Sequence, residues 1–268
     1  MSAPEVILIA IVEGLTEFLP VSSTGHIIIT QGLMGTQSTD FVKAFTVIIQ
    51  FGAILSVVCL YWKYFFRTVG FYRHLLIAFL PAALVGGVLG DFIDRLLERV
   101  EVVAAMLIIG GIFMLFVDKL FNQPDEPGES REMTDRKALR IGLFQCMAMI
   151  PGVSRSMATI VGGMAQRLSR KTATEFSFFL AVPTLFAASA YKLLKLFMQP
   201  QGADLLVSNL PALIMGNVIA FVVALLAIRF FIGYVTRYGF KAFGYYRILV
   251  GGILLIWLFT GHPLQIIG

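Results

Sequence analysis

Apolar residues fill this chain in long windows, and six of them read as full membrane crossings, at 44–62, 75–90, 102–118, 175–192, 210–229 and 243–260, close to the ~20 residues a spanning helix needs. Residues 5–34 and 138–168 break the pattern. Each holds two short apolar pieces around a Pro/Gly/Ser interruption, and neither piece is long enough to cross alone. Irregular backbone at membrane depth is tolerated only where protein or a wet cavity satisfies its polar groups, so both regions are expected to be re-entrant helical hairpins. The expected fold is an all-α polytopic membrane protein with six transmembrane helices and two re-entrant hairpins.

The pattern also repeats. Pro20 and Pro151 are 131 residues apart, as are Phe45 and Phe176; Leu80-Pro81-Ala82 recurs at 130 as Leu210-Pro211-Ala212, and Gly110-Gly111-Ile112 at 141 as Gly251-Gly252-Ile253. Residues 1–121 and 138–268 then each contain a hairpin and three crossings, joined by the polar linker 122–137. An odd number of crossings turns the second half over, giving an inverted-topology repeat. With this topology fifteen Lys and Arg, Arg247 among them, fall on one side, against Lys43, Arg95, Arg99, Lys192 and Lys195 on the other. The basic side is expected to be cytoplasmic, with the linker, and both termini to face outward. Arg155 is left as the base assigned to the interior.

Composition agrees with a membrane setting. Hydrophobic residues make up 58% of the chain and charged residues 14%, with a mean hydropathy of +0.85, too apolar for one soluble core to absorb. The pI near 9.3 does not point to nucleic acid, because the bases are scattered over short loops without a basic run. Cys59 and Cys146 lie far apart in apolar segments and read as small core residues, not as a disulfide or zinc ligands. The first apolar run, bracketed by Glu5 and Glu13, is not built like a cleaved signal peptide, so the N-terminal segment is expected to be retained.

The chemistry sits in the two interruptions. Charged side chains inside a membrane cost about 2.5–3.5 kcal/mol each, which makes them functional candidates by default. The first run is Glu13-Gly-Leu-Thr-Glu17-Phe-Leu-Pro20-Val-Ser22-Ser23-Thr24-Gly-His26. Glu13 and Glu17 share one helix face with no base a turn away, a pair able to hold a proton, accept one or bind a cation; Val12, Leu15, Phe18 and Leu19 around them favour burial over a solvated face. Pro20 breaks the helix. Ser22, Ser23 and Thr24 stand where the next one starts, where hydroxyls cap the orphan amides, or where those amides and the helix dipole bind phosphate. His26, in the first turn, is a candidate base, acid or nucleophile, or simply a satisfied polar residue.

The second run, Pro151-Gly152-Val-Ser154-Arg155-Ser156-Met-Ala-Thr159, repeats the design with a cation in place of the carboxylates. Arg155 offers a planar fork to phosphate oxygens, and Ser154, Ser156 and Thr159 add hydroxyl donors or caps; an ion pair with a glutamate that stabilises the bundle is the other reading. If the hairpins enter from opposite faces, their tips meet near the midplane, with two helix N-termini and Arg155 around one anion. That arrangement suits phosphoryl transfer.

At these residues the chain resembles the undecaprenyl-pyrophosphate phosphatase family, also called the bacitracin resistance protein. The runs 13–26 and 151–159 both look like that family's signatures, without a departure at the motif positions, and length and segment order agree over essentially the whole chain. The resemblance implies a multi-pass protein of the bacterial plasma (inner) membrane whose site opens to the extracytoplasmic side. It implies hydrolysis of a polyprenyl diphosphate lipid, undecaprenyl diphosphate, to the monophosphate and inorganic phosphate, recycling the lipid carrier of peptidoglycan synthesis.

The residues by themselves support an intramembrane site for an anionic, phosphorylated group. The favoured mechanism has Ser23 attacking the terminal phosphorus, His26 and Glu17 handling its proton, Glu13 and Glu17 holding a divalent cation (Mg²⁺ or Ca²⁺), and Arg155 with Ser154 and Ser156 stabilising phosphoryl charge. Ser22, Thr24 and Thr159 complete the expected binding set. Attack by His26 or directly by water stays open, as does assembly into a homodimer. A lipid-phosphate flippase or anion transporter could use the same tips to bind without cleaving, since broken helices in inverted repeats also build transport sites. The soluble-type acid phosphatases need a later catalytic histidine, whereas His74 and His262 are expected near opposite membrane edges.

Overall fold

The computed structural model describes residues 1–37, 39–65, 69–97, 99–121 and 132–260, and every regular element among them is helical. Residues 122–131 of the expected linker, and His262, lie outside the described residues. In chain order the helices are α1 (Ala3–Thr16), α2 (Ser23–Met34), α3 (Asp40–Ile48), α4 (Gln50–Leu60), α5 (Trp62–Phe65), α6 (Val69–Leu97), α7 (Val100–Phe121), α8 (Asp135–Met147), α9 (Arg155–Ala165), α10 (Arg170–Phe197), α11 (Gly202–Ser208), α12 (Leu210–Tyr238) and α13 (Lys241–Phe259).

Six of these, with α3 and α4 counted as one, are long and apolar enough to cross a membrane, and they coincide with the six windows read from the sequence. Leu84, Val88, Val218, Leu226, Leu249 and Ile256 point outward from α6, α12 and α13, as lipid-facing side chains must. The chain is a multi-pass membrane protein. The helices α6, α10 and α12 run several residues beyond the apolar windows, because helical hydrogen bonding continues past the hydrocarbon edge where hydropathy falls.

Regions 5–34 and 138–168 both fold as helix, break, helix. Proline sets the end of each first helix: its ring clashes with the carbonyl four residues back, and α1 stops at Thr16, four before Pro20, while α8 stops at Met147, four before Pro151. The second break is one residue longer, and Gly152 within it takes φ 91°. Both second helices start after a serine with left-handed φ, Ser22 at 72° and Ser154 at 78°.

One break was not expected. The first crossing is interrupted between α3 and α4 at Ile49, without glycine or proline there. A tertiary contact falls at this point: the Gly52 amide is shared between the side-chain oxygen of Asn217 in α12, at 2.8 Å, and the Ile49 carbonyl three residues back, at 3.1 Å.

Packing runs crosswise between the halves. The first helix of each lies along the second of the other's three crossings, α1 on α12 and α8 on α6, while α7 lies along α13. Gly14 and Gly142 make the first two crossings tight, since a Cβ on either would run into the backbone of Ala220 or Ala78. The Leu-Pro-Ala pair does not occupy equivalent places: Pro81 is inside α6, and Pro211 is in the first turn of α12. Beneath the breaks, Phe18 packs edge-on against Phe178 of α10 at 5.2 Å, anchoring the first break in the main apolar core.

Candidate active site

The two breaks meet. Ser156 Oγ donates to the Leu19 carbonyl at 2.7 Å, and Arg155 Nη2 donates to Glu17 Oε1 at 3.1 Å across 138 residues of sequence. Between them is a cavity of about 200 Å³ whose polar wall is formed by Glu17, Ser22, Ser23, Thr24, Gln50, Ser154 and Arg155, and whose apolar wall includes Ile93, Met149 and Leu185. The first residues of α2 and of α9 both line it, so two helix N-termini bring free amides and the positive ends of their dipoles to one place.

Glu17 is the hub. Its Oε2 accepts from Ser23 Oγ at 2.7 Å while Oε1 takes Arg155, whose Nη1 is fixed in turn by the Ser177 carbonyl at 3.1 Å. A carboxylate so placed can take a proton from Ser23, and the arginine holds it in position as it does so. The ion pair is buried, with side chains 5% and 11% exposed. The Nε–H of Arg155 is buried and makes no protein hydrogen bond, a donor left over for a ligand oxygen.

Glu13, one turn earlier, is fully buried, and neither carboxylate oxygen has a hydrogen-bond partner. Ser22 lines the cavity, and its hydroxyl caps no amide of α2. Ser154 differs: its Oγ accepts from the Met157 amide at 3.4 Å and pairs with Ser156 Oγ at 3.0 Å. Thr24 is in the cavity wall. Thr159 is behind it, bonded to the Arg155 carbonyl at 2.9 Å and to Ser177 Oγ at 2.6 Å, so it braces Arg155. His26 is also outside the cavity lining. Its Nδ1 is 2.8 Å from the Ser22 carbonyl and its Nε2 is 2.7 Å from Tyr246 Oη, with the two rings nearly parallel.

Arg247 is the main correction. Taken from the sequence as one of the cytoplasmic bases, it is completely buried in α13, so Arg155 is not the lone interior base. Its five donor hydrogens meet five carbonyls: Nε reaches Leu107, Nη1 reaches Pro20 and Val153 at 3.0 and 3.1 Å, and Nη2 reaches Met106 and Gly152 at 3.0 and 2.7 Å. The side chain thus ties both breaks to α7, and carbonyl dipoles take the place of a counter-ion. The helix α13 begins at Lys241, which puts Arg247 nearly two turns inside and not among the bases at the cytoplasmic edge. An arginine within the apolar window 243–260 was the available signal. Gln50, equally an isolated polar residue in the window 44–62, was also passed over and stands in the cavity wall.

Among the described residues no three His, Cys, Asp or Glu side chains gather. The orphaned oxygens of Glu13 beside Glu17 do fit a hard divalent cation, which commonly takes one or two carboxylates and completes its shell with phosphate oxygens and water.

The same residues fall inside a match to known sequences. The family model described as "Bacitracin resistance protein BacA" matches residues 6–253. An "Undecaprenyl-diphosphatase" of Porphyromonas gingivalis is 55% identical, covering 99% of this chain and all of that protein. Proteins of the same name from Flavobacterium johnsoniae and Bdellovibrio bacteriovorus are 55% and 53% identical over the full length of both chains. A family match over most of the chain, with identity at this level over the full length of these relatives, means that the chain belongs to the bacitracin resistance protein BacA family.

Proposed function

We propose that this protein is an integral membrane phosphatase that hydrolyses undecaprenyl diphosphate to undecaprenyl phosphate and inorganic phosphate, returning the lipid carrier to peptidoglycan synthesis. The observation that carries the reading is the 2.7 Å contact of Ser23 Oγ with Glu17, itself held by Arg155, at the mouth of two helix N-termini. Binding or transport alone needs anion donors but no carboxylate on a hydroxyl, so the transporter alternative is not favoured.

In the proposed reaction the terminal phosphate takes the amides of α2 and α9 and the free donors of Arg155. Ser23 Oγ attacks the terminal phosphorus as its proton passes to Glu17; the anhydride P–O bond breaks and prenyl phosphate leaves, taking up that proton or releasing it to water. Water then attacks the phosphoserine, giving a proton to Glu17, and Ser23 Oγ is reprotonated as inorganic phosphate departs. Glu13 and Glu17 would hold a divalent cation, which supplies charge neutralisation to the diphosphate when bound. The apolar wall at Ile93, Met149 and Leu185 suits the first units of a prenyl tail.

For topology we propose two re-entrant hairpins in an inverted repeat within the bacterial plasma membrane, the site opening outward. The matching proline-terminated helices, the paired left-handed serines and the crosswise packing of α1 on α12 and α8 on α6 support it. The test is direct. Purified protein in detergent should release inorganic phosphate from a long-chain prenyl diphosphate, and Ser23→Ala should lose turnover while keeping substrate affinity, with Ser22→Ala losing less. A Ser23→Ala protein with full turnover would remove serine as nucleophile.

A further inference from the structure

His26 is held in a way that defines its role. A carbonyl oxygen can only accept, so the 2.8 Å contact of Nδ1 with the Ser22 carbonyl requires the hydrogen on Nδ1. In the neutral ring Nε2 then carries the lone pair, and Tyr246 Oη, 2.7 Å away, donates to it. Both nitrogens are spent, and His26 does not line the cavity.

What the ring holds is the carbonyl of Ser22, the residue just before α2. Ser22 has φ 72° and no side-chain cap, whereas Ser154, its counterpart at the second break, caps Met157 with its hydroxyl. The peptide unit is planar, so fixing the Ser22 carbonyl also fixes the Ser23 amide and the direction in which Ser23 leaves the backbone. Tyr246 and Arg247 are consecutive in α13: one clamps His26, the other the carbonyls of Pro20, Gly152 and Val153.

We propose that His26 and Tyr246 form a positioning pair, in which the Ser22 carbonyl keeps the hydrogen on Nδ1, the Tyr246 hydroxyl donates to Nε2 and holds the ring in place, and the Nδ1–H of His26 orients the Ser22–Ser23 peptide, while no proton passes between His26 and substrate. The activity arms of the test rest on the phosphatase reading above. The side-chain nitrogen of asparagine can stand near Nδ1 of a histidine, and that of glutamine near Nε2. His26→Asn therefore keeps the donor to Ser22 and removes acid, base and nucleophile, whereas His26→Gln removes all of these.

With phosphate release from a prenyl diphosphate as the readout, His26→Asn should keep turnover within about tenfold of the parent with KM little changed, and His26→Gln should fall at least about tenfold below it, the scale of one lost buried hydrogen bond. Tyr246→Phe should cost about five- to tenfold in the parent and under about twofold in the His26→Asn background, since coupled residues are not additive. Equal inactivity of the asparagine and glutamine variants in well-folded protein, or a trapped phosphohistidine at His26, would overturn the proposal.

An arm independent of activity is nitrogen-15 NMR of histidine-labelled protein, in which the chain's three histidines are assigned by single replacement. The parent should show His26 as the Nδ1–H form, and Tyr246→Phe should keep that form while moving the Nε2 resonance toward that of an unbonded lone pair. A parent ring in the Nε2–H form would overturn the proposal even if phosphatase activity stood, and the Nδ1–H form would uphold the pair even if that activity were not found.

Discussion

Replacing Arg155 with lysine separates the charge of this side chain from its shape. The guanidinium spans Glu17 and the Ser177 carbonyl, each at 3.1 Å, and has its Nε–H to spare. Lysine keeps the charge, so Glu17 is not abandoned in its buried position, and the roughly 3–5 kcal/mol that breaking a buried pair costs is not incurred. What is lost is the second anchored bond and the planar fork toward phosphoryl oxygens. A hydrogen bond to a charged group is worth about 1.5–3 kcal/mol, and a preorganised transition-state donor about 2.7–4. At 1.36 kcal/mol per factor of ten, the larger range corresponds to about 10² to 10³ in turnover. The assay pairs steady-state phosphate release with thermal unfolding in the same detergent. Arg155→Lys should unfold within a few degrees of the parent, the shift expected for about 1 kcal/mol in a chain of this size, and lose about two orders of magnitude or more in kcat. Turnover near the parental value in a well-folded Arg155→Lys protein would refute the reasoning and leave Arg155 as a structural ion pair.

Arg247→Lys should behave in the opposite way: an ammonium has three donors for five carbonyls, so at least two buried acceptors lose their partner, costing at least about 2 kcal/mol in total and lowering Tm by several degrees along with activity. An unchanged Tm would count against the carbonyl cage. Glu17→Gln should abolish most turnover, and Glu13→Gln should weaken dependence on divalent cation; equal parental activity with and without chelator would dismiss the cation. Cysteine labelling at residue 130 should report the cytoplasmic side and labelling at both termini the outside, and termini found on opposite sides would sink the inverted repeat.

Much of this molecule can be read from its residues because the membrane penalises polarity so heavily. Glu13, Glu17 and Arg155 stand out in apolar surroundings, and Pro20 and Pro151 each stand four residues past a helix end, as a local clash favours, although α6 continues through Pro81 and α10 through Pro183. What stayed hidden depends on partners far away in sequence. The interruption at Ile49 falls where Asn217, 168 residues downstream of it, shares the Gly52 amide. Arg247 is made tolerable inside by carbonyls that only the two breaks, once together, can offer. How His26 is held was equally hidden, because its Tyr246 partner lies in another crossing, 220 residues on.

The bond between Glu17 and Arg155 also has a schedule. It joins residues 138 positions apart, and each half's first helix packs against a helix of the other half. At synthesis rates of about 5–20 residues per second, Glu17 emerges on the order of ten seconds before its partner exists. During that interval the first half carries two carboxylates with neither Arg155 nor the packing surface of α12 to receive them. The two halves, expressed as separate chains, should therefore regain activity only when made together in one membrane, and the first half made alone should be the one that quality control removes.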